Sequence, residues 1–180
     1  METKIIYFVH GTTTDNAAKL CSGWKEAMLN DLGREQAENL GKVSNERNDR
    51  FDIMFTSDLK RAIESSNIAF KDIEKIIDSR LRECNYGDLD GEHKSLVVYE
   101  EHIDIPFPNG ESLKDVEKRV KEFLEYLKEN YQGKTVGIVA HRAPQLALEV
   151  LTKNISWEEA IKNDWRKTGS WQAGWEYIVK

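Results

Sequence analysis

The sequence is poor in the residues and runs that mark several common protein classes. Two of its 180 residues are cysteine, Cys21 and Cys84, which are too few for a disulfide framework and lack metal-ligand spacing. No apolar run approaches the length of a membrane-spanning helix or of a signal-peptide core. The net charge of −6 leaves no excess of basic residues for a nucleic-acid or anionic-membrane partner. We therefore expect a cytoplasmic protein that binds neither nucleic acid nor membrane.

The composition that is present is that of a globular domain. Hydrophobic residues make up 39% of the chain and charged residues 32%. A chain of 180 residues is long enough to bury one sizeable core. Neither an internal repeat nor a linker-like stretch divides it, so the sequence predicts a single domain over residues 1–180.

Five short apolar runs are predicted as strands. The first, Ile5–Val9, is too short for a helix and rich in β-branched and aromatic residues, which is typical of a strand buried on both faces. The others are Phe51–Phe55, Ile73–Ile77, Thr135–Ala140 and Trp175–Val179. Helical patterns lie between them. This order predicts an α/β fold, a three-layer α/β/α sandwich with a mostly parallel sheet.

Apolar residues at helical spacing, together with capping residues, predict the helices. The clearest helix covers 113–131 and follows a Ser112 cap. Ser57 is predicted as the N-cap of an earlier helix, and Ser156 as the N-cap of a short late one. The stretch 79–109 has no clean period, which is typical of a functional loop in a compact domain.

Two of the predicted strands end in a histidine. His10 follows Ile5–Val9, and His141 follows Thr135–Ala140. Because parallel strands end at the same edge of a sheet, where ligands bind in open α/β folds, we expect the two histidines to lie together in a site. The alternative is a pair of core histidines whose rings are hydrogen-bonded to the backbone.

Six short blocks follow one another in a characteristic order. They are His10-Gly11 with Thr13 and Asn16, Leu32–Ala37, Ser57–Ala62, Leu81–Gly87 with Gly91, Asn109–Ser112 and Val139–His141. In this order they resemble the histidine phosphatase superfamily, the phosphoglycerate mutase-like family. The resemblance covers roughly residues 5–142, and it implies phosphoryl transfer on a phosphoglycerate mutase-like fold.

The resemblance assigns catalytic roles to four residues. It makes His10 the nucleophile that forms a phosphohistidine, and Arg61 a phosphate ligand. It makes Glu83 the residue that protonates the leaving group and then activates water. His141 is implied as a donor to the transferring phosphoryl group. Such groups are what phosphoryl transfer needs, because charge on the phosphoryl oxygens and on the leaving oxygen must be stabilised.

Further residues are implied as substrate ligands. Gly11, Thr13 and Asn16 would contact the phosphate through backbone and side-chain groups. No cofactor and no metal is expected, since none of the four histidines pairs with another at ligand spacing. The implied partner is a small phosphorylated metabolite.

The chain departs from the family at the residue before the nucleophile. The family usually has arginine there, and this chain has Val9. One interpretation is an active enzyme in which Arg142, directly after the second histidine, supplies the missing charge, with Arg82 as a weaker candidate. The other is a catalytically weakened member that binds phosphate esters or regulates.

Phosphatase is favoured over phosphoglycerate mutase-type phosphotransferase. The segment 92–109 is short, and Lys94 is its only lysine or arginine, so it offers little grip on a second phosphate. We expect hydrolysis of a small phosphomonoester, with residues 87–112 as a lid. Tyr99, Phe107 and Ile103 or Ile105 are candidates for an apolar wall against the substrate, and packing into the core of the loop is an equal alternative.

Four tryptophans lie close together in the C-terminal region. They are Trp157, Trp165, Trp171 and Trp175. They are expected to pack the last helix and strand over the sheet, although a pocket wall or a subunit interface is also open. A homodimer is therefore a possible assembly.

Overall fold

A five-stranded sheet forms the centre of the molecule. The computed structural model describes residues 2–180. The strands are β1 (Thr3–Val9), β2 (Ile53–Thr56), β3 (Lys75–Ile77), β4 (Thr135–Ala140) and β5 (Trp175–Val179). Their order across the sheet is β3-β2-β4-β1-β5. All neighbours are parallel except β1 and β5, which are antiparallel. The predicted α/β class with a mostly parallel sheet is confirmed.

Helices cover both faces of this sheet. They are α1 (Thr14–Ala17), α2 (Asp31–Glu46), α3 (Lys60–Ala69), α4 (Leu113–Asn130), α5 (Arg142–Lys153), α6 (Trp157–Lys162) and α7 (Trp165–Thr168). Helix α4 begins with a complete capping box formed by Ser112 and Asp115, and Ser156 caps α6 through the Glu159 N–H. No helix within residues 2–180 combines the length and the apolar character needed to cross a bilayer.

Strand β1 is buried on both faces, as its composition predicts. Ile5 and Tyr7 belong to the larger core, which also contains residues of α4, α5 and α6. Ile6 and Phe8 belong to the smaller core on the opposite face, where Leu40 of α2 also lies. The alternation of strand side chains between two faces therefore produces the two outer layers.

The predicted cap of α3 is wrong. The N-cap position is Leu59, which provides no side-chain hydrogen bond, and Ser57 precedes it in the extended turn after β2. Ser57 is fully buried, and its hydroxyl lies 2.9 Å from Nε2 of His141. A local preference of serine for helix starts is thus overridden by a distant partner.

The connection between β3 and α4 is packed onto the core. It contains four short 3₁₀ turns. The hydroxyls of Tyr86 and Tyr99 lie 2.7 Å apart, and Phe107 is buried beside Tyr86. Arg119 of α4 donates to the carbonyls of Arg80, Arg82 and Glu83 at 2.7–2.9 Å. This anchoring fixes the backbone around Glu83.

Candidate active site

Sheet register places the two strand-terminal histidines side by side. Val9 and Ala140 are register partners at the ends of β1 and β4, and the His10 N–H donates to the Ala140 carbonyl at 3.1 Å. The next residues, His10 and His141, have ring centroids 5.0 Å apart. The predicted pairing of the histidines at one sheet edge is thus present in the structure.

The ring of His10 is oriented by its neighbour. Nδ1 lies 2.7 Å from the Gly11 carbonyl oxygen, an acceptor, so Nδ1 carries the proton and Nε2 keeps its lone pair. Burial, together with the positive charge of Arg61, lowers the pKa of His10 to about 3. The ring is therefore neutral across the physiological pH range, as a nitrogen nucleophile requires.

His141 is fully buried and held from two sides. Its main-chain N–H donates to the Tyr7 hydroxyl at 3.0 Å, and the same hydroxyl donates to the His141 carbonyl at 2.7 Å. The Ser57 oxygen accepts the Leu59 N–H at 3.3 Å, which favours donation of its own proton to His141 Nε2. Nδ1 is then the protonated nitrogen, and it has no hydrogen-bond partner within residues 2–180. Burial, followed by the charge of Arg61, lowers the pKa of His141 well below its ordinary value.

Arg61 lies on the first turn of α3 with its side chain buried. Its guanidinium donates to the carbonyls of Gly23, at 2.6 Å from Nη2, and of Lys25, at 3.2 Å from Nη1. Burial lowers the pKa of Arg61, and the guanidinium remains charged, as arginine is in proteins. The irregular segment 21–25 thus holds a cation close enough to act on both histidines.

Glu83 occupies the N-terminus of α5. Its Oε1 accepts the N–H groups of Ala143 at 2.8 Å and Cys84 at 2.9 Å, while Oε2 accepts that of Arg142 at 3.1 Å. The first amides of a helix lack partners inside the helix, so a carboxylate there satisfies them and complements the helix dipole. Glu83 also lines the cavity that contains His10, so the same carboxylate is within the site.

Gly11 is required by a close approach of two backbones. A Cβ atom on Gly11 would lie 2.2 Å from the carbonyl oxygen of Gly33 in α2. The Gly11 N–H donates to the Ser65 hydroxyl of α3 at 3.0 Å. Gly11 therefore fixes the loop after β1 against two helices, and it lines the cavity.

Thr13 and Asn16 form a reciprocal cap on α1. The Thr13 hydroxyl accepts the Asn16 N–H at 3.0 Å, and the Asn16 carboxamide oxygen accepts the Thr13 N–H at 3.1 Å. Asn16 lines the cavity, whereas Thr13 is fully buried and does not. The structure gives Thr13 the role of holding Asn16 in place, rather than a position in the cavity wall.

A cavity of about 850 Å³ opens beside His10. Besides His10, Gly11, Asn16, Glu83 and Arg142, its wall includes Val9, Gln36, Lys94, Trp165, Arg166, Lys167, Trp171 and Trp175. The predicted apolar wall of Tyr99, Phe107 and Ile103 or Ile105 is not part of it. Tyr99 and Phe107 are buried in the core instead, because their rings pack against Tyr86.

The tryptophans contribute more to the cavity than the sequence predicts. Trp165 and Trp175 stack with ring centroids 5.4 Å apart, and Trp171 is about half-exposed at the rim. All three line the cavity. Trp157 behaves as expected for a packing residue, since it is buried and its indole N–H donates to Glu117 at 2.6 Å.

Arg82 is absent from the cavity wall. Its guanidinium forms a two-pronged ion pair with Asp58 at 2.6–3.0 Å and lies over the ring of Trp24. Within the described part of the chain, no group of three or more histidine, cysteine, aspartate and glutamate side chains is arranged to hold a metal ion. Independence of metal ions stays a prediction.

Comparison with known proteins agrees with this geometry. The family model of the histidine phosphatase superfamily (branch 1) matches residues 6–173. The chain belongs to the histidine phosphatase superfamily. A 2,3-bisphosphoglycerate-dependent phosphoglycerate mutase of Chelativorans sp. (strain BNC1) is 33% identical, over 90% of this chain and 87% of that protein. A phosphoglycerate mutase of Schizosaccharomyces pombe is 31% identical, over 86% of this chain and 82% of that protein.

Solved structures of phosphatases share the histidine phosphatase fold seen here. A mycobacterial glucosyl-3-phosphoglycerate phosphatase in complex with VO3 superposes with a TM-score of 0.79, at 23% identity, over 87% of this chain and 85% of that one. The α-ribazole phosphatase of Shigella flexneri gives a TM-score of 0.76 at 24% identity, over 90% and 84% of the two chains. The superfamily relatives thus include both mutases and phosphatases.

One cation of this histidine phosphatase site is missed by sequence reasoning. Arg166 lines the cavity, and its charge contributes to lowering the pKa of both His10 and His141. The signal for it lies in Asp164 two residues earlier, since an aspartate at a helix start holds the following turn in a fixed geometry. That carboxylate accepts the Arg166 main-chain N–H at 3.1 Å.

Proposed function

We propose that this protein is a metal-independent phosphatase that hydrolyses a small phosphomonoester through a phosphohistidine on His10. The observation that carries the proposal is the state of His10. The ring is neutral, and its Nδ1 pairs with the Gly11 carbonyl, so Nε2 keeps its lone pair. The centroid of the His10 ring lies 5.0 Å from that of His141, whose Nδ1 has no hydrogen-bond partner within residues 2–180. This arrangement combines a nucleophile with a hydrogen-bond donor for the phosphoryl oxygens.

The reaction proceeds in two displacements. Nε2 of His10 attacks phosphorus, so that an N–P bond forms while the P–O bond to the alcohol breaks. Glu83 gives a proton to the departing alkoxide. Glu83 then takes a proton from water, the water oxygen attacks phosphorus, and the N–P bond breaks to release inorganic phosphate. His10 and Glu83 end in their starting states, and the net change is hydrolysis of one ester bond.

Access of water favours the phosphatase over the mutase. A mutase must retain its phosphorylated histidine until the second acceptor oxygen arrives, and this requires exclusion of water. The cavity is large, and its rim residue Trp171 is half-exposed. In the segment 92–109, only Lys94 reaches the cavity wall. We infer that water reaches the phosphohistidine more readily than a second substrate orientation can form.

A mutase is the second candidate, because relatives at 31–33% identity are named phosphoglycerate mutases. A catalytically weakened phosphate-ester-binding member is the third, because Val9 replaces the expected arginine beside His10. The three candidate functions differ in the acceptor to which the phosphoryl group is finally transferred. It goes to water in the first, to a second hydroxyl of the substrate in the second, and nowhere in the third.

Turnover of an aryl phosphate in the presence of EDTA tests the proposal. We expect wild-type protein to release phosphate, with one oxygen from labelled water, and to form an acid-labile phosphoprotein. His10→Ala is expected to lose both, by about 10³-fold or more in kcat. His102→Ala is the matched control, because the Nδ1 of this histidine also pairs with a carbonyl, that of Ile105 at 3.0 Å, outside the cavity wall.

Three results would contradict the proposal. Absence of turnover on aryl, sugar and amino-acid phosphates would favour the third candidate, the catalytically weakened member that binds phosphate esters. Conversion of 3-phosphoglycerate that depends on 2,3-bisphosphoglycerate, faster than hydrolysis, would favour the mutase. Equal activity of His10→Ala and wild type would remove His10 as the nucleophile.

A further inference from the structure

Val9 leaves the strand side of the cavity without a cation. Its side chain lines the cavity next to His10 but has no hydrogen-bonding group. Arg61 does not replace it, because Arg61 does not line the cavity and two of its N–H groups donate to the carbonyls of Lys25 and Gly23. Phosphoryl transfer develops charge on several oxygens, so a site with so few free donors near His10 needs a further source of them.

Two other guanidinium groups meet at one buried carboxylate. The side chain of Asp164 has no exposed surface. Its Oδ2 accepts from Nε of Arg142 at 2.7 Å, and its Oδ1 accepts from Nη1 of Arg166 at 3.0 Å. Burial alone would raise the pKa of Asp164, but the charges of Arg166 and Arg142 outweigh it and lower that pKa. The three groups therefore carry one net positive charge, and the two arginines line the cavity.

Neither arginine uses its whole fork on Asp164. Nη2 of Arg166 is buried and has no hydrogen-bond partner within the described chain. Arg142 pairs through Nε, so its two Nη groups are not used by the ion pair. A buried donor without a partner is unfavourable, so Nη2 of Arg166 is a candidate to donate to an acceptor on a ligand.

Aromatic rings fix the planes of both forks. The guanidinium of Arg142 lies 4.2 Å from the ring centroid of Tyr99, and that of Arg166 lies 4.2 Å from the ring centroid of Trp165. Gln145 adds a weaker contact to Nη1 of Arg166 at 3.5 Å. The donors are thus held in place before any ligand arrives, which is what stabilisation of developing charge requires.

We propose that Arg142 and Arg166, held together by Asp164, bind the phosphoryl group at His10 in place of the arginine missing at position 9. The inference rests on the proposed function, because it assigns phosphate ligands to that same site. It adds Arg166 to the residues that touch substrate and makes Asp164 a positioning residue. We call Arg142, Arg166 and Asp164 the clamp. The clamp is linked to Glu83, which accepts the Arg142 main-chain N–H.

Binding of inorganic phosphate, measured by calorimetry, tests the clamp independently of turnover. We expect Arg166→Gln to weaken phosphate binding by at least about tenfold and to lower kcat/KM for an aryl phosphate by about a hundredfold. Arg80→Gln is the matched control. Arg80 also forks onto an aspartate, Asp78, and packs on an aromatic ring, that of Tyr126 at 5.0 Å, but it does not line the cavity. Its variant is expected to bind and react within about twofold of wild type.

Two further variants distinguish the loss of a phosphate ligand from misfolding of the variant protein. Arg166→Lys keeps the charge next to Asp164 but loses the planar fork, so we expect intermediate phosphate affinity. Val9→Arg in the Arg166→Gln background is expected to recover a large part of the lost affinity, since it returns a guanidinium to the strand side. Circular dichroism and urea unfolding show whether each variant is folded.

The outcomes separate the clamp from the proposed function. Phosphate binding that needs Arg166 in a protein without turnover supports the clamp and contradicts the phosphatase. Turnover and phosphate affinity that are unchanged in Arg166→Gln or Arg166→Lys overturn the clamp and leave the phosphatase intact. Failure of Val9→Arg to recover any affinity in a folded double variant contradicts replacement of the missing arginine.

Discussion

The carbonyl of Gly11 decides which nitrogen of His10 is available for chemistry. It accepts a hydrogen bond from the Nδ1–H group, and the buried surroundings together with Arg61 keep the ring neutral. The same burial has a cost for the folded protein in acid. A histidine that takes up a proton easily when unfolded, and with difficulty when folded, makes stability depend on pH.

The free energy of unfolding is therefore expected to fall as the pH drops below 6.5. Between this ordinary pKa and the folded-state value of about 3, the unfolded chain binds a proton at His10 and the folded chain does not. Above pH 6.5 both states are neutral, and the contribution is constant. Urea unfolding over a pH series should show His10→Gln with a shallower slope, by up to about 1.4 kcal/mol per pH unit. Parallel curves for variant and wild type would contradict the buried, neutral ring.

At the scale of single residues, the sequence predicts several of the residues that lie together at the sheet edge, but not their contacts, and Arg61 and His141 do not line the cavity. His10, Glu83, Asn16 and Arg142 line one cavity. Thr13 is a buried cap instead, because its short hydroxyl finds an acceptor role three residues away. Such outcomes depend on which partner a side chain reaches, and the residue pattern does not encode that.

At the scale of elements, one carboxylate connects the loop after β3 with the start of α5. Glu83 accepts two N–H groups from the first turn of α5 and one from Cys84. The carboxylate that accepts the first N–H groups of α5 is therefore also the proposed acid. A mutation of Glu83 is expected to change both the stability of the protein and its chemistry. A pair of variants can separate the two effects.

Glu83→Gln and Glu83→Ala are expected to differ in stability but not in chemistry. Glutamine keeps one oxygen and so retains most of the hydrogen bonds, at a loss of about 1 kcal/mol in the free energy of unfolding. Alanine leaves three buried N–H groups without an acceptor, at a loss of about 3 kcal/mol. Both should lower kcat by about 10²-fold or more, since neither side chain transfers a proton. Urea unfolding and steady-state kinetics measure the two effects, and a Glu83→Gln enzyme near wild-type kcat would remove Glu83 as the acid.

Elements follow the sequence where local patterns decide them. The apolar runs give strands, and the period over 113–131 gives α4 with its Ser112 capping box. Ser57 fails as a cap because its partner, His141, is 84 residues away in the chain. Arg166 is missed for a related reason, since its partner Arg142 meets it only through Asp164 in the folded protein.

At the scale of the whole molecule, charge is distributed unevenly. The chain carries a net charge of −6, yet the cavity wall includes Lys94, Arg142, Arg166 and Lys167 against one carboxylate, that of Glu83. Lys167 is partly neutralised by Glu100 at 2.7 Å. A cationic cavity in an acidic protein concentrates the field on the site and attracts anionic substrates.

The kcat/KM for an anionic phosphate ester is accordingly expected to fall as salt is added. Between about 20 and about 200 mM sodium chloride we expect a decrease of roughly threefold or more, mainly through KM, because salt screens exposed charges. Lys94→Gln should reduce this dependence, whereas Lys128→Gln, on the outer side of α4, should leave it unchanged. A kcat/KM that does not respond to salt would contradict electrostatic attraction by the cavity.

Strand β1, which presents His10, precedes both of its sheet neighbours in the chain by more than 120 residues. Both neighbours of β1 in the sheet, β4 and β5, come from the last third of the chain, as do Arg142 and Arg166. A ribosome therefore releases most of the polypeptide before β1 can acquire either hydrogen-bonding partner. Contacts between residues so far apart in sequence are slow to form. Until they form, β1 is an unpaired apolar strand exposed to solvent. During synthesis, the nascent chain thus carries His10 on an unpaired strand, and the pocket around it assembles only after β4 and β5 have been made.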